Sequence, residues 1–353
     1  MRWARIYRSN AKYWRDRVIE QDQRMDDINE LYLKEAHKEL RRKQEEVITT
    51  IESFYGKYAE RHEMSLLDAQ QYLSDDEMWR LHEKGLFYFR DMAKSGSYSQ
   101  ATMDALSFRE RITRQEALLA EIEKLAVELY GSTDGLRDYV YKSTAHVYGD
   151  ALIQNAKAFG EVGFQIRRPI ITLDTLKDKL RVNWSGNNLS ERIWGHEQKL
   201  YDSLKEVLHD SFQQQRSLPE VTREIAERFN VAFSDAKRLV NNEATAFKSL
   251  ADHDHYQQNW VDEYRIEAVL DNRTTPICRA KDGKVYRLSQ FSLGVTAPPF
   301  HVGCRSMTVP VAPDFDYYFG ERDEPEESLD EFITDLENQL KEAINLLGGE
   351  WIE

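Results

Sequence analysis

The sequence is poor in cysteine, and it lacks long apolar runs. Two cysteines in 353 residues, Cys278 and Cys304, cannot make a disulfide framework, so a reducing compartment is the simpler interpretation. No stretch approaches the roughly 18 consecutive apolar residues of a membrane helix. The first residues, MRWARIYRSN, have no apolar core of a secretory signal. We therefore expect a protein that is made and used in a cytoplasm, or released from it by lysis.

Glycine and proline are also few, at 16 and 8 residues, and 41% of the chain is hydrophobic. This composition is typical of a globular protein, and the length predicts about two domains.

The net charge of −14 is concentrated at one end. Residues 316–353 contain 13 acidic residues against Arg322 and Lys341, so the rest of the chain is nearly neutral. The N-terminus is instead basic and aromatic. It could clamp a nucleic-acid backbone or bind an acidic partner, or it could be an ordinary solvated first helix. The residues predicted for such contacts are Arg2, Trp3, Arg5, Arg8, Lys12, Arg15 and Arg17.

The first 160 residues have the pattern of α-helices. Apolar positions recur at helical spacing through residues 12–62, which contain no proline and only Gly56. A single helix of that length would reach about 75 Å, so we expect one break or a long hairpin. Two shorter helices are predicted within residues 65–96, and further helices over residues 102–130 and 136–159. With no catalytic constellation in it, the segment 1–164 is interpreted as an elongated α-helical docking domain.

The character changes near Phe164, where glycines, a proline and β-branched residues interrupt the helical pattern. Helices are predicted over residues 196–215, 217–230 and 234–259, the second opened by a capping box of Ser217 and Glu220. Three strand-like stretches follow, RIEAVLD, KVYRL and MTVPVAP, with a turn at Asp282 and Gly283. Residues 165–315 are therefore predicted to be a helical module with a small irregular sheet, which makes the chain α+β.

The acidic tail, residues 316–353, contains a predicted amphipathic helix. Ser328 and Glu331 form a capping box at its start. We expect this helix to dock, either on its own chain or on a partner. Its predicted apolar face consists of Leu329, Phe332, Leu336, Leu340, Ala343 and Leu347.

Cys278, His301 and Cys304 are the most informative residues. Thiolates and imidazole are ligands that zinc prefers, but a structural zinc site normally has four ligands. A buried structural clasp of two thiols beside a histidine is the main alternative. A disulfide and Cys-His catalysis remain further alternatives, although no orienting group or oxyanion site is evident. The candidates for a fourth metal ligand are His253, His255 and Asp271.

A supporting polar network is predicted around the same segment. Asp271 at a turn can accept backbone N–H groups and hold Arg273 or Arg305, which would pin irregular backbone. The alternative is a set of exposed loop charges. Glu243, on a predicted helix, could be an acid or an ordinary surface residue.

Taken together, these motifs resemble the Mu F-like phage head morphogenesis family, over roughly residues 180–310. The resemblance rests on NWSGNNLSERIW, RLVNNEATAF, LDNRTTPICRAKDGKVY and PPFHVGCRS, in that order. One departure is Asn242, which stands before Glu243 where the family often has threonine. The matching positions are Trp184, Arg192, Trp194, Arg238, Glu243, Asp271, Arg273, Thr274, Cys278, Asp282, Gly283, Pro298, Pro299, His301, Cys304 and Arg305.

The resemblance implies a minor head protein of a tailed bacteriophage, found in the virion and, during assembly, in the host cytoplasm. Such a protein is expected to bind the portal and to act in procapsid assembly, with DNA packaging or ejection as a further role. Major capsid or scaffolding protein and double-stranded DNA are further expected partners, and no membrane is expected. It implies no enzymatic activity and no certain cofactor, zinc being the one candidate. A hydrolase or transferase using the Cys/His/Glu set and DNA binding through the N-terminus are the alternatives.

Overall fold

The computed structural model describes residues 11–61, 114–131, 135–161, 166–214, 216–311 and 328–347. These residues form mostly helices together with one small sheet, which confirms the predicted α+β class. The two helices predicted within residues 65–96 lie outside the described residues. The helices are α1 (Ala11–Arg61), α2 (Arg114–Gly131), α3 (Leu136–Glu161), α4 (Leu173–Leu180), α5 (Leu189–Gln214), α6 (Leu218–Gln258), α7 (Pro276–Lys281) and α8 (Leu329–Leu347). None of these helices combines the length and the apolar character that crossing a membrane requires.

The helix α1 is uninterrupted over 51 residues, so the predicted break or hairpin is wrong. Proline is absent from it, and its apolar residues are buried at helical spacing along its length, from Trp14 through Leu40 to Ile51. Tertiary packing of such a stripe supplies most of a helix's stability. Length alone therefore gave no reason to expect a break.

The helix α6 is also continuous, over 41 residues, where the sequence predicted two helices. Ser234 begins the second predicted stretch. Its hydroxyl donates to the carbonyl of Asn230 at 3.0 Å, which is the bond of a mid-helix serine and not of an N-cap. The predicted start of α6 is confirmed, because the N–H and the hydroxyl of Ser217 donate to Glu220 Oε2 at 2.9 and 2.8 Å.

The sheet consists of β1 (Glu263–Ala268), β2 (Val285–Arg287) and β3 (Ser306–Val311). They lie in the order β2-β1-β3, and β1 is antiparallel to both neighbours. The register runs from Glu263 opposite Val311 to Ala268 opposite Ser306 in the longer pairing. All three strand-like stretches of the sequence are thus strands. We call residues 263–311, which contain the sheet and α7, the loop module.

A short helix and a turn shape the loop module between β1 and β2. Gly283 has a φ of 76°, which glycine adopts without strain, and its N–H donates to the carbonyl of Ile266 at 2.8 Å. This confirms the predicted turn. The helix α7 was not predicted, although Thr275 as N-cap followed by Pro276 is a recognisable helix start.

The described residues fall into two compact units. Unit 1 takes those within Met1–Tyr32, Val140–Gly186 and Arg238–Glu350, and unit 2 takes those within Leu33–Tyr139 and Asn187–Lys237. The predicted boundary near Phe164 lies outside the described residues. The division into segments 1–164, 165–315 and 316–353 stays a prediction, because compactness in space does not test a division along the sequence.

The helix α8 docks on its own chain, within unit 1. Leu336, Leu340, Ala343, Ile344 and Leu347 are buried on it. Leu340 packs so closely on α3 that a Cβ added at Gly149 would meet it at 2.3 Å. Arg168 pairs with Asp335 and lies 5.0 Å from the ring of Phe332. Of the two expectations for this apolar face, docking on the chain itself is the one observed.

Candidate functional site

The predicted residues Cys278, His301 and Cys304 converge in the loop module. Cys278 Sγ lies 3.0 Å from His301 Nε2 and 3.6 Å from Cys304 Sγ, and the three donor atoms lie within 4.8 Å of one another. Both cysteines are free thiols and are 4% and 2% exposed, whereas His301 is half-buried. The structure therefore brings the three side chains together, and it contains thiols where a disulfide was an alternative. We call these three residues the Cys/His cluster.

Thr275 links Cys278 and His301. It is the N-cap of α7, and its hydroxyl accepts from the N–H of Cys278 at 3.4 Å, which fixes this cysteine in the first turn. The same hydroxyl lies 2.9 Å from His301 Nε2. One side chain thus positions both the helix start and the imidazole.

The third member, Cys304, is held by a turn and by α6. Its N–H donates to the carbonyl of His301 at 3.2 Å, with Gly303 at a φ of 73° between them. Its carbonyl accepts from the hydroxyl of Thr245 on α6 at 3.0 Å. His301 and Cys304, with two residues between them, therefore form a tight turn that brings both side chains to Cys278.

The two thiols differ in acidity. The hydrogen bond with Cys304 holds the pKa of Cys278 below that of an ordinary thiol, and the same bond, together with burial, raises the pKa of Cys304. Burial acts to lower the pKa of His301, but its bonds to the Val302 carbonyl and to Cys278 outweigh this and raise it. Of the two sulfurs, Cys278 is therefore the one that carries negative charge more readily.

The predicted network around Asp271 is present as a set of contacts. Its Oδ1 accepts from Arg305 at 2.6 Å and from the N–H of Arg273 at 2.8 Å, and the hydroxyl of Thr274 lies at 3.2 Å. The bond from Arg305 is the main reason that the pKa of Asp271 lies well below its usual range. These side chains tie the loop after β1 to the residue that follows Cys304, so they are more than independent loop charges.

Glu243 lies on α6 and binds a tryptophan. It is fully buried on α6, so the interpretation as a surface residue is wrong. Its Oε2 accepts from the indole N–H of Trp184 at 3.0 Å. This bond joins two of the residues on which the family resemblance rests.

The candidates for a fourth metal ligand are engaged elsewhere. Among the described residues, the metal-competent group contains the three cluster residues only. His253 packs on Phe291 with ring centroids 4.5 Å apart, and His255 packs on Phe159 at 4.6 Å. Burial lowers the pKa of His255 to about 3. Asp271 is bound to Arg305, as described above.

Of the predicted N-terminal contact residues, two have described side chains. Arg15 lies 3.5 Å from the carboxylates of Glu267 and Asp282, and Arg17 lies 3.7 Å from that of Glu161. Both cations therefore already face acids of their own chain. Arg2, Trp3, Arg5, Arg8 and the side chain of Lys12 lie outside the described residues.

A buried ionic network beside β3 was missed in the sequence. Lys248 Nζ lies 2.7 and 2.6 Å from the two carboxylate oxygens of Asp252, and both side chains are at most 5% exposed. Asn155 donates to Oδ1 at 2.8 Å, and Thr308 of β3 donates to Oδ2 at 2.6 Å. The spacing of four between Lys248 and Asp252 is a signal for a helix pair, but it is equally common on exposed faces.

Comparison with known proteins gives one match. No curated protein and no solved structure matches the chain. Trp184, Arg192 and Trp194 of the resemblance precede the segment that is matched. Residues 202–309, which contain Glu243, Asp271 and the whole Cys/His cluster, match the model of the family described as Phage Mu protein F like protein, and this confirms the family resemblance over that segment.

Proposed function

We propose that this chain is a minor structural protein of a tailed-bacteriophage head that binds the portal and acts in procapsid assembly. The observation that carries the proposal is the match of residues 202–309 to a family of phage proteins, which points to a role in head morphogenesis. The virion, and the host cytoplasm during assembly, are the corresponding locations. DNA packaging or ejection would be later steps of the same role.

The geometry of the matched segment supports a holding function. The two thiols are buried, and the Asp271 network and Thr245 bind backbone or neighbouring side chains. Catalysis would need a reactive group that a substrate can reach. Glu243, the acid of the enzyme alternative, is fully buried and accepts from the indole of Trp184. We therefore propose a non-enzymatic protein.

Co-expression with the portal protein of the same phage tests this proposal. The full chain, tagged, should co-elute with the portal oligomer in size-exclusion chromatography, and electron microscopy should show added density on the portal. A portal from an unrelated phage is the control. If the two proteins elute separately at both low and moderate salt, portal binding is refuted.

DNA binding through the N-terminus has a distinct test. Electrostatic binding to duplex DNA should weaken steeply with salt, and replacing Arg2, Arg5 and Arg8 by glutamate should abolish it. Since Arg15 and Arg17 already face acids of the chain, we expect no binding at physiological salt. Strong, salt-dependent retention of DNA by the wild-type chain alone would favour the DNA-binding alternative.

A further inference from the structure

We propose that the Cys/His cluster binds one zinc ion through Cys278 Sγ, Cys304 Sγ and His301 Nε2, with water as the fourth ligand. This site is independent of the proposed role in the phage head, because it rests on the loop module alone.

The distances fit a tetrahedral ion. With Zn–S bonds of about 2.3 Å and a Zn–N bond of about 2.0 Å, the two sulfurs should lie about 3.8 Å apart, and each sulfur about 3.5 Å from the nitrogen. The observed sulfur–sulfur distance is 3.6 Å and the distance from Cys278 Sγ to His301 Nε2 is 3.0 Å. A small rotation of the half-buried imidazole that moves Nε2 by about half an ångström would bring its distance from Cys278 Sγ to the tetrahedral value.

The imidazole is already oriented as a ligand. His301 Nδ1 lies 2.9 Å from the carbonyl oxygen of Val302. A carbonyl can only accept, so Nδ1 carries a proton and Nε2, which lies beside Cys278 Sγ and the Thr275 hydroxyl, is the nitrogen that can bind a metal once it is unprotonated. Histidines that bind zinc almost always donate their other N–H in this way, to a backbone carbonyl or a carboxylate. The bond from Nδ1 to the Val302 carbonyl therefore supports metal binding independently of the short distances among the three residues.

The donor set selects the kind of metal. Two sulfurs and one imidazole suit zinc, whereas magnesium and calcium prefer oxygen ligands. No carboxylate among the described residues joins the group. Three protein ligands with water in the fourth position is an arrangement that zinc adopts in catalytic sites. The proposal concerns binding alone, and the reducing compartment expected for this chain keeps both cysteines as thiols, which can lose their protons on binding the metal.

Zinc would tie the short helix α7 to the turn at Gly303. Cys278 lies in α7, and His301 and Cys304 lie on either side of the turn at Gly303. A ligand that binds only the folded state stabilises that state by mass action. Removal of zinc should therefore lower the melting temperature of the chain, and the loss should be restored by zinc.

The first experiment measures metal content in the full chain. The protein is purified without a histidine tag, loaded with zinc, and desalted before elemental analysis. We expect one zinc per chain in the wild type and in His253→Ala, a control that removes a half-buried histidine of the same unit. Cys278→Ser, Cys304→Ser and His301→Ala should each lose it. Equal zinc in the wild type and in folded cysteine variants would overturn the proposal.

A second experiment uses the wild-type chain and therefore does not depend on the folding of variants. Chelator-treated protein is titrated with Co²⁺, which should produce thiolate-to-cobalt charge-transfer absorption and the visible bands of tetrahedral cobalt, both displaced by one equivalent of Zn²⁺. Zinc should also slow the reaction of the two thiols with a disulfide reagent. Absence of thiolate absorption, or thiol reactivity that zinc does not change, would show that the cluster is a hydrogen-bonded clasp without a metal.

Discussion

Different kinds of internal contact stabilise the loop module of unit 1 and the helices of unit 2. In the loop module the strands have only six, three and six residues, and side chains bind the intervening backbone. Thr274 donates to the Val269 carbonyl at 2.6 Å, and Thr296 to the Gln290 carbonyl at 2.6 Å. In unit 2, buried apolar side chains such as Ile51 recur along helices.

This difference explains where a family signal resides in the sequence. An apolar stripe tolerates many sequences of similar volume and pattern. A threonine that satisfies one carbonyl, or an aspartate that binds one arginine, has few substitutes, because a buried polar group without its partner is costly. We therefore expect single polar substitutions to damage the loop module, and unit 2 to respond to loss of apolar volume or of its buried ion pair between Lys43 and Glu128.

The largest effect is expected from Asp252→Ala, which breaks the contact between β3 and α6. The change leaves the ammonium of Lys248 buried without its carboxylate, and removing one partner of a buried ion pair costs about 3–5 kcal/mol. Urea denaturation at pH 7 measures the loss. The double variant Lys248→Met with Asp252→Leu should recover part of the stability, because it removes the unpaired charge but still leaves Asn155 and Thr308 without their acceptor. A loss in the single variant no greater than that of an ordinary surface substitution would contradict this account of β3.

A somewhat smaller effect is expected in unit 2 from Ile51→Ala. Ile51 is fully buried, and truncation of such a side chain costs about 2–4 kcal/mol through lost burial and the cavity left behind. Ile19→Ala on the same helix is the matched control, since Ile19 is 56% exposed and should change the free energy of unfolding by about 0.5 kcal/mol or less. Equal losses at the two positions would mean that α1 is not packed as described.

The charges that face the loop module from α1 give a pH-dependent prediction. Burial is the main cause that raises the pKa of Asp22 to about 6. Asp26 and Asp271 raise it further, while Arg305 and Arg273 lower it. The folded state thus holds a proton that the unfolded state has released between about pH 4 and 6. The contribution of Asp22 to the free energy of unfolding is therefore fully present below about pH 4 and is lost as the pH rises from about 4 through 6.

The variant Asp22→Asn tests this sign. At pH 7 it should be more stable than the wild type by about 1–3 kcal/mol, since a pKa shift of one unit corresponds to about 1.4 kcal/mol. The gain should shrink on acidification and vanish below about pH 4, where both proteins carry a neutral side chain at this position. Urea denaturation across pH 4–8 measures it. A variant that is less stable at pH 7 would show instead that the attraction between Asp22 and Arg305, 3.9 Å apart, dominates.

The sequence predicted some features of the structure well, for physical reasons that can be named. Alternation and helical spacing report which face of an element is buried, so the strands and the apolar face of α8 were correctly placed. The spacing of His301 and Cys304 identified a turn. Periodicity does not report the partner of a face, however, and this is why the docking of α8 on its own chain was left open.

Other features could not be read from local patterns. The continuity of α1 and α6 depends on packing along their whole length, which the sequence does not display. The spacing of Lys248 and Asp252 in the sequence is the same as that of an exposed ion pair on a helix. Their burial depends on packing against distant residues such as Thr308 of β3. Long-range contacts decide both cases.

The smallest predicted effect compares the same substitution at two places on α6. Thr245→Val removes the hydroxyl that donates to the Cys304 carbonyl, and a buried acceptor left without a donor costs about 1–2 kcal/mol. Thr222→Val removes a hydroxyl that donates to the Pro219 carbonyl at the exposed start of the helix, where water replaces it, so the expected cost is about 0.5 kcal/mol or less. Helix propensity, size and the β-branched shape change identically at both positions. The Thr245 hydroxyl also lies 3.1 Å from the Asn241 carbonyl of its own helix, a contact that the Pro219 carbonyl matches for Thr222. A difference in urea denaturation therefore reports on the additional bond to the loop module. Equal costs would mean that Cys304 is held by its own turn alone, and that α6 contributes only an apolar surface to the segment bearing the Cys/His cluster.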